Sequence, residues 1–378
     1  MYGLALGGGG SRGAYEAGAL LALTELEIPI GAITGTSIGA LNGAAYLMGD
    51  IDFLLNLWRS LDRDAIISFD AKTIPEVIKR RGFSFNVLLD MMDNVFDENK
   101  IRDNPIDFGV VTYNVTTREP VVVFKDDIPQ GSLLSFVAAS ANHPSFERYV
   151  IDGEEYIDGA IYDNIPIQPL YHKGYRKIIA INLHTINDLR PLAGPYELIE
   201  ISTRENLGPV MFPNPKTIER NITLGYLDTL RAFKRLKGHH YYFRHLEDFG
   251  LLSSLSASEI KVLKEDFTPL FLKNTLAQYE NNLGADYSIM LAALEITAEE
   301  LRIDNTKIYA NQGELLSEVF DVIQKVALDE LQFNYIDGII FRDLSQNAFA
   351  ALGLASPKKA IANLFIKILQ NRIIGEVK

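Results

Sequence analysis

Short hydrophobic runs alternate with helical stretches through the first half of the chain. The runs Leu4–Leu6, Ile30–Thr34 and Lys177–Asn182 are typical of buried strands. The stretches Tyr15–Leu26 and Ile38–Met48 have the spacing of helices. Strands that alternate with helices favour an α/β sheet that is covered on both faces. We therefore expect the first half of the chain to form an α/β domain.

Two hairpins are also predicted in this half. The runs Phe108–Tyr113 and Pro120–Phe124 form the first one. Tyr149–Ile151 and Glu155–Ile157 flank an Asp-Gly pair, which is a strong signal for a tight hairpin turn. Between the two hairpins, Gly131–Ala141 has helical spacing.

The pattern changes in two other parts of the chain. Residues 51–104 show helical segments with polar breaks, which predicts an insertion into the α/β domain. From about residue 248 onward the strand signals fade, and seven hydrophobic residues within Leu315–Ala327 recur at helical spacing. Thr297–Glu300 fits a capping box, which predicts the start of a helix. The helices expected in the insertion are Phe53–Leu61, Ile74–Lys79 and Phe85–Phe96.

We therefore expect two domains. The first covers residues 1–245 and contains the helical insertion at about 51–104. The second covers residues 246–378 and is an acidic α-helical domain. A length of 378 residues agrees with two or three domains of ordinary size.

Composition and charge exclude several classes of protein. The chain has 47% hydrophobic and 22% charged residues, which is ordinary for a globular protein. It has no cysteine, and this excludes disulfides, a zinc–thiolate site and a cysteine nucleophile. The net charge of -13 leaves no basic footprint, so no nucleic-acid partner is expected.

The sequence also bears on location. No stretch approaches 18 consecutive apolar residues, and no positively charged segment precedes the first hydrophobic run. We therefore expect neither a transmembrane helix nor a signal peptide. A cytoplasmic protein is the expectation, although a protein exported without a signal would look the same.

A candidate nucleophile lies where the second predicted strand meets the second predicted helix. Residues 35–39 read Gly-Thr-Ser-Ile-Gly and match the pattern G-x-S-x-G. Gly35 and Gly39 remove the side chains that would clash in a strained turn. The helix that follows favours negative charge beside Ser37. A strand–helix turn made of small residues is the alternative interpretation.

A candidate anion-binding loop follows the first strand. Four consecutive glycines end at Gly10 and lead into Ser-Arg-Gly at residues 11–13. Exposed amides at a helix N-terminus bind a phosphate or an oxyanion. Gly8, Gly10 and Gly13 also fit the dinucleotide fingerprint, but no acidic residue ends the second strand. A nucleotide site is therefore disfavoured, and a structural tight turn remains an alternative.

A serine nucleophile needs a group that accepts its proton. Among the six histidines, His184 has the best placement for a triad because it follows a predicted strand. No motif surrounds it, so a packed or solvated loop residue is the simpler interpretation. Asp158 and Gly159 form a pair that is, by itself, only a turn signal.

Taken together and in this order, the motifs resemble those of the patatin-like phospholipase family. GGGGSRG at residues 7–13 is similar to the oxyanion loop of the family, and GTSIG at residues 35–39 to its nucleophile elbow. DGA at residues 158–160, followed by DNIP, looks like its Asp-Gly-Gly/Ala block. VAASA at residues 137–141 resembles its Ala-Ser stretch. The resemblance covers roughly residues 1–245 and leaves the helical tail outside.

The resemblance implies a three-layer α/β/α sandwich with a mainly parallel central sheet. It implies a dyad in which Ser37 is the nucleophile and Asp158 the base, with an acyl-serine intermediate and no histidine. No metal and no cofactor are expected. The residues implied for the oxyanion hole are Gly8, Gly9, Gly10, Arg12 and Ile38, with Arg12 fixing the loop, and the motif glycines are Gly13, Gly35, Gly39 and Gly159.

The leading hypothesis is a serine hydrolase that cleaves an acyl ester of a lipid, of the phospholipase A type. Its expected partners are a lipid or other acyl-ester substrate and, transiently, a membrane or micelle surface. A carboxylesterase or acyltransferase on a soluble ester is a second hypothesis. A binding or scaffold protein that docks a protein partner through its helical domain is a third. His143 precedes Pro144 where the family more often has an apolar residue, so His143 is expected to shape the pocket.

Overall fold

The computed structural model divides the chain into two units, Met1–Ala232 and Phe233–Lys378. Residues 1–61, 96–144, 148–185, 189–211, 214–246, 270–279, 285–328, 331–334 and 336–376 are described.

An eight-stranded sheet forms the centre of the first unit. Its strands are β1 (Tyr2–Leu6), β2 (Ile30–Thr36), β3 (Asp107–Asn114), β4 (Glu119–Phe124), β5 (Tyr149–Ile151), β6 (Glu154–Asp158), β7 (Lys177–Asn182) and β8 (Glu197–Ser202). The strands β3-β2-β1-β7-β8 pair in parallel in this order, whereas β4, β5 and β6 make antiparallel pairs. The predicted mainly parallel sheet is confirmed.

Helices flank this sheet. Among the described residues they are α1 (Ala14–Glu25), α2 (Ile38–Met48), α3 (Ile51–Arg59), α4 (Glu98–Asp103), α5 (Leu133–Ser140), α6 (Ile167–His172) and α7 (Pro215–Ala232). The predicted bounds of α2 are confirmed. The helix predicted at Phe53–Leu61 corresponds to α3, which begins and ends two residues earlier. The helices predicted at Ile74–Lys79 and for most of Phe85–Phe96 lie outside the described residues. No helix in the described part of the chain has the length and hydrophobicity of a membrane span.

The position of each strand in the sheet explains its residue pattern. β7 lies between two parallel neighbours, and its residues Ile178–Asn182 are all buried, as expected for a strand that is covered on both faces. β4 lies at an edge and is largely exposed. The hairpin between β5 and β6 turns at Asp152 and Gly153, whose φ angles are 50° and 84°. Asn, Asp and Gly tolerate positive φ best, so the predicted tight turn is confirmed.

β2 and β6 lie end to end along the same side of β3. The last pair between β2 and β3 joins Thr36 to Val111, and the next residue of β3, Thr112, pairs with Asp158 of β6. The other side of β3 is occupied by β4 over these residues. The carboxyl ends of β2 and β6 therefore face each other, so that residue 37 and Asp158 meet.

The second unit is helical apart from one short strand pair. Its described elements are β9 (Tyr242–Phe243), α8 (Leu270–Ala277), α9 (Ala285–Glu300), β10 (Ile308–Tyr309), α10 (Gln312–Ala327), α11 (Gln346–Ala355) and α12 (Pro357–Glu376). The predicted helical C-terminal region is confirmed, and the helical spacing over Leu315–Ala327 corresponds to α10. Its buried hydrophobic face packs into the core of this unit.

Two details of the second unit differ from expectation. Residues 233–245 group with this unit because β9 pairs with β10 and because Tyr241 and Phe243 are buried in its core. The capping box predicted at Thr297–Glu300 is wrong, since these residues form the end of α9. The Thr297 hydroxyl donates to the Ala293 carbonyl one turn earlier, as hydroxyl groups inside helices often do.

Two glycines allow α1 and α7 to pack unusually closely. A Cβ atom at Gly18 would lie 1.8 Å from the carbonyl oxygen of Ile222, and one at Gly225 would lie 1.9 Å from that of Tyr15. Each helix therefore receives a backbone carbonyl of its partner where it lacks a side chain. The Tyr15 hydroxyl also donates to Asp228 at 2.8 Å, which links the same two helices.

This contact predicts an unusual sign for a glycine substitution in a helix. Helix propensity alone would make Gly18→Ala stabilising by about 1 kcal/mol. The clash with Ile222 should reverse the sign and lower the free energy of unfolding by about 2 kcal/mol or more. Denaturant unfolding of Gly18→Ala, Gly225→Ala and the double variant checks this. A Gly18→Ala variant that is more stable than the parent would contradict the packing argument.

Candidate active site

Ser37 lies in a strained turn between β2 and α2. Its φ and ψ angles are 58° and -123°, a conformation that a non-glycine residue adopts only when its surroundings impose it. A Cβ atom at Gly35 would lie 2.5 Å from the Ala40 nitrogen, and one at Gly39 would lie 2.3 Å from the Leu6 carbonyl oxygen. Both glycines therefore allow backbone to approach backbone around Ser37. This geometry is that of a nucleophile elbow.

A serine on a different helix supports the turn. The Ser37 N–H donates to the Ser140 hydroxyl at 2.9 Å, and this hydroxyl donates to the Val111 carbonyl at 2.6 Å. Ser140 thereby ties the elbow to β3. The sequence singled out the Ala-Ser stretch only by resemblance and gave no role to Ser140, because its partners lie far away along the chain.

Asp158 ends β6 and faces Ser37. The Ser37 hydroxyl donates to its carboxylate, and the Ala160 N–H donates to Asp158 Oδ1 at 2.8 Å. The Asp158 N–H donates to the Asn142 carbonyl at 2.8 Å. A Cβ atom at Gly159 would lie 2.2 Å from the Val111 carbonyl oxygen, so the chain turns away from β3 only with glycine there.

The environment of Asp158 makes it a stronger base than a solvated carboxylate. The residue is 6% exposed, and burial raises the pKa of its carboxyl group to about 6. The hydrogen bonds from Ala160 and Ser37 partly offset this rise in pKa. Because a base is most effective when its pKa lies near the operating pH, the shift is in the direction that catalysis requires.

The glycine loop lies against the elbow, with two of its amides available. The Gly8 N–H donates to the Asn164 carbonyl at 3.0 Å, which removes it from the donors that the sequence suggested. Within the described residues, no acceptor is assigned to the N–H groups of Gly9, Gly10 and Ile38. These three amides are the candidate donors for an oxyanion.

Arg12 fixes the glycine loop through its side chain. Nε donates to the Gly208 carbonyl at 2.8 Å, and Nη1 donates to the carbonyls of Leu183 and His184 at 3.1 and 2.7 Å. Its guanidinium therefore holds backbone segments together. Gly10 has φ 55°, and a Cβ there would lie 2.3 Å from the Val210 carbonyl oxygen.

A buried polar network, which sequence reasoning missed, joins the start of α1 to α2. The Asn42 amide donates to Glu16 at 2.7 Å and to the Gly13 carbonyl at 3.0 Å, and Trp58 Nε1 donates to Asn42 at 2.9 Å. Burial raises the pKa of Glu16 well above its usual range. A Cβ at Gly13 would lie 2.4 Å from the Ile38 side chain, so the two helix starts are in close contact.

A cleft of about 280 Å³ opens above these groups. His143 and His184 line it together with Ser37 and Asp158. The His184 ring forms a hydrogen bond with the Thr203 carbonyl through Nε2 at 3.0 Å. His184 thus has a structural partner, and the Asp158 carboxylate is the candidate base beside Ser37. The whole lining is Gly8, Gly9, Gly10, Arg12, Ser37, Ala141, His143, Pro144, Asp158, Ala160, Ile161, Asn164, His184, Thr185, Val210 and Met211.

The structure therefore brings the sequence candidates to one place. The cleft unites the glycine loop after β1, the elbow after β2 and the aspartate that ends β6. A hydroxyl with an adjacent base and nearby amide donors is an arrangement for acyl transfer. Of the suggested oxyanion residues, Arg12 and the Gly8 N–H are engaged in holding the loop.

Known proteins with similar sequences carry the name lysophospholipase NTE1. A protein named lysophospholipase NTE1 from Mycosarcoma maydis is 29% identical over 269 residues, which are 66% of this chain. One of the same name from Cryptococcus neoformans var. neoformans serotype D is 32% identical over 195 residues, or 50% of this chain. The matched regions are only 14% and 12% of the length of these two relatives.

A solved structure with a related chain path is that of VipD from Legionella pneumophila. It covers 99% of this chain and 87% of its own at 15% identity, with a TM-score of 0.44. The family model described as patatin-like phospholipase matches residues 4–171, which include the glycine loop, the elbow and Asp158. This part of the chain, which holds the candidate site, is similar to the patatin-like phospholipase family.

Proposed function

We propose that this protein is a serine hydrolase that cleaves an acyl ester of a lipid through Ser37 and Asp158. The observation that carries the proposal is the meeting, in one cleft, of Ser37 in its strained elbow and the buried Asp158 carboxylate. Burial raises the pKa of this carboxyl group to about 6, and its interaction with the Ser37 side chain lowers the pKa in part. The match of residues 4–171 to the family model described as patatin-like phospholipase supports the reaction class.

In the first half of the reaction, Ser37 Oγ attacks the carbonyl carbon of the ester while Asp158 accepts the hydroxyl proton. The tetrahedral oxyanion accepts hydrogen bonds from the N–H groups of Gly9, Gly10 and Ile38. The C–O bond to the alcohol then breaks, and Asp158 returns the proton to the departing oxygen. An acyl-serine remains.

In the second half, water attacks the acyl-serine carbonyl and Asp158 accepts a proton from that water. The same amides stabilise the second oxyanion. The bond to Ser37 Oγ breaks, the proton returns to this oxygen and the fatty acid leaves. Loss of one oxyanion donor typically costs about 3–4 kcal/mol in other acyl-transfer enzymes, so these amides are expected to contribute much of the rate.

For the substrate, we propose a lipid that carries a single acyl chain. The relatives named above are lysophospholipases, which supports this class. The cleft also has an apolar mouth, since Ile161, Val210 and Met211 line it while 47%, 37% and 38% exposed. Such a mouth suits an acyl chain that leaves a lipid aggregate.

The dyad predicts the outcome of covalent labelling. Wild-type protein should react with a fluorophosphonate, Ser37→Ala should not react at all, and Asp158→Asn should react at least a hundredfold more slowly because the base is lost. His184→Asn is the matched control and should react like the wild type, since His184 bonds to a backbone carbonyl. In-gel fluorescence of purified, folded proteins measures this. Labelling that survives Ser37→Ala would contradict the assignment.

The raised pKa of Asp158 predicts a pH profile. Only the ionised carboxylate accepts a proton, so kcat/KM should be level above about pH 6 and fall about tenfold per pH unit below it. Asp163 offers a matched control, because burial also raises its pKa to about 6, while the charge of Arg190 and the Ile165 N–H lower this pKa in part. Asp163→Asn should leave the midpoint unchanged, and a midpoint that moves with this variant would assign the profile to the wrong aspartate.

The proposed substrate predicts how the rate depends on aggregation. Hydrolysis of a lysophospholipid should rise more steeply than saturation kinetics allow as its concentration passes the critical micelle concentration. A soluble short-chain ester should give simple saturation. Fatty-acid release across the two concentration ranges measures this. Equal specificity constants for lysophospholipid and short-chain ester, without a rise at the micelle concentration, would favour a soluble-ester esterase instead.

A further inference from the structure

Both polar backbone groups of Gly8 are held by two residues from outside the glycine loop. Its carbonyl accepts from the Thr185 hydroxyl at 2.6 Å and from Asn164 Nδ2 at 3.3 Å. Its N–H donates to the Asn164 carbonyl at 3.0 Å. Asn164 and Thr185 also bond to each other at 3.1 Å. We call this arrangement of Asn164 and Thr185 around Gly8 the Gly8 clamp.

The direction of each hydrogen bond in the clamp is determined. A carbonyl oxygen only accepts, so the single hydroxyl proton of Thr185 goes to Gly8. The Thr185 oxygen must then accept from Asn164, which fixes the Asn164 Nδ2 group toward Thr185 and Gly8. Asn164 Oδ1 consequently faces the Cα of Gly8, only 2.4 Å from where a Cβ would lie.

This orientation of the Asn164 amide costs free energy, which the two hydrogen bonds donated by Nδ2 offset. Asn164 is 3% exposed, and its Oδ1 has no hydrogen-bond donor within the described residues. A buried acceptor without a donor is destabilising. The Asn164 Nδ2 group therefore donates to Gly8 and Thr185, while Oδ1 of the same side chain is left without a donor in the described residues.

The clamp sets the direction of the next amide in the loop. In a trans peptide the C=O and the following N–H point in opposite directions. All peptide bonds of the described residues are trans. The two donors on the Gly8 oxygen thus fix the plane of the Gly8–Gly9 peptide, and with it the direction of the N–H of Gly9, a residue that lines the cleft together with Ser37.

We propose that Asn164 and Thr185 are positioning residues that orient the Gly9 N–H toward the oxyanion of the reaction. The inference rests on the proposed function and extends it to two residues that do not touch the reacting atoms. Without the clamp, the Gly8–Gly9 peptide is free to rotate, and the donor is no longer preorganised.

A matched pair of variants at Thr185 tests the clamp. Thr185→Val keeps the shape and loses the hydroxyl, whereas Thr185→Ser keeps the hydroxyl. We expect Thr185→Val to lower kcat about tenfold or more with KM nearly unchanged, and Thr185→Ser to stay within about twofold of wild type. The midpoint of the pH profile near pH 6 should be the same in both variants, because the Thr185 hydroxyl bonds to Gly8 and Asn164 and acts on the glycine loop, not on Asp158.

A thionoester provides the readout that a merely structural role would not move. Its sulfur is a poorer hydrogen-bond acceptor than oxygen, so a working oxyanion donor favours the ester over the thionoester. The ratio of kcat/KM for p-nitrophenyl butyrate and its thiono analogue should fall in Thr185→Val and stay at the wild-type value in Thr185→Ser. An unchanged ratio and unchanged kcat in Thr185→Val would overturn the proposal.

Crystal structures of the two variants separate the failure of the clamp from the failure of the proposed function. The Gly8–Gly9 peptide should be rotated or disordered in Thr185→Val and unchanged in Thr185→Ser, and an unrotated peptide in both would overturn the clamp. Wild-type protein that neither hydrolyses esters nor reacts with a fluorophosphonate would overturn the proposed function, together with the catalytic role of the clamp. The orientation of the peptide would still be decided by the structures.

Discussion

The meeting of Ser37 and Asp158 depends on the register of one strand, β3. Val111 pairs with the end of β2 and Thr112 with the end of β6, so the two carboxyl ends face each other along the same side of β3. The Val111 carbonyl also accepts from Ser140, which supports the elbow, and leaves room only for glycine at position 159. A shift of β3 by one residue would therefore displace Ser37, its support Ser140 and Asp158 at once.

Burial of Asp158 raises the basicity of its carboxylate and lowers the stability of the folded protein. Its pKa is about 6 in the folded protein against an ordinary value near 3.8, so between about pH 4 and 6 the folded state binds the proton more tightly than the unfolded chain. Stability is thus lost as pH rises through this window, by about 3 kcal/mol for a shift of about two pKa units. Hydrogen bonds from Ala160 and Ser37 limit the loss. The rest of the fold must offset the free-energy cost of a carboxylate whose basicity comes from its poor solvation.

The features that could be predicted from the sequence are those that short local patterns encode. The elbow, the glycine loop and the hairpin of β5 and β6 could be found because glycine and Asp-Gly pairs mark backbone that other residues adopt poorly. The hairpin of β3 and β4 could be found from its two hydrophobic runs. Ser140, Asn42 and the Gly8 clamp could not be found, since each acts on a residue far away in the chain, as Ser140 does on Ser37 from 103 positions later. The capping box predicted at Thr297–Glu300 is wrong for a related reason. The same spacing of residues also occurs inside helices, and packing against distant residues decides where a helix begins.

The motif glycines act by allowing backbones to come close, and this links the fold to the chemistry. Gly39 brings α2 against the end of β1, and Gly159 brings the turn after β6 against β3. These contacts bring the glycine loop, the elbow and the turn after β6 around one cleft. Side chains large enough to fill that space would push the candidate amide donors and Asp158 apart without removing either group. The chemistry of the site therefore depends on the absence of side chains as much as on Ser37 and Asp158.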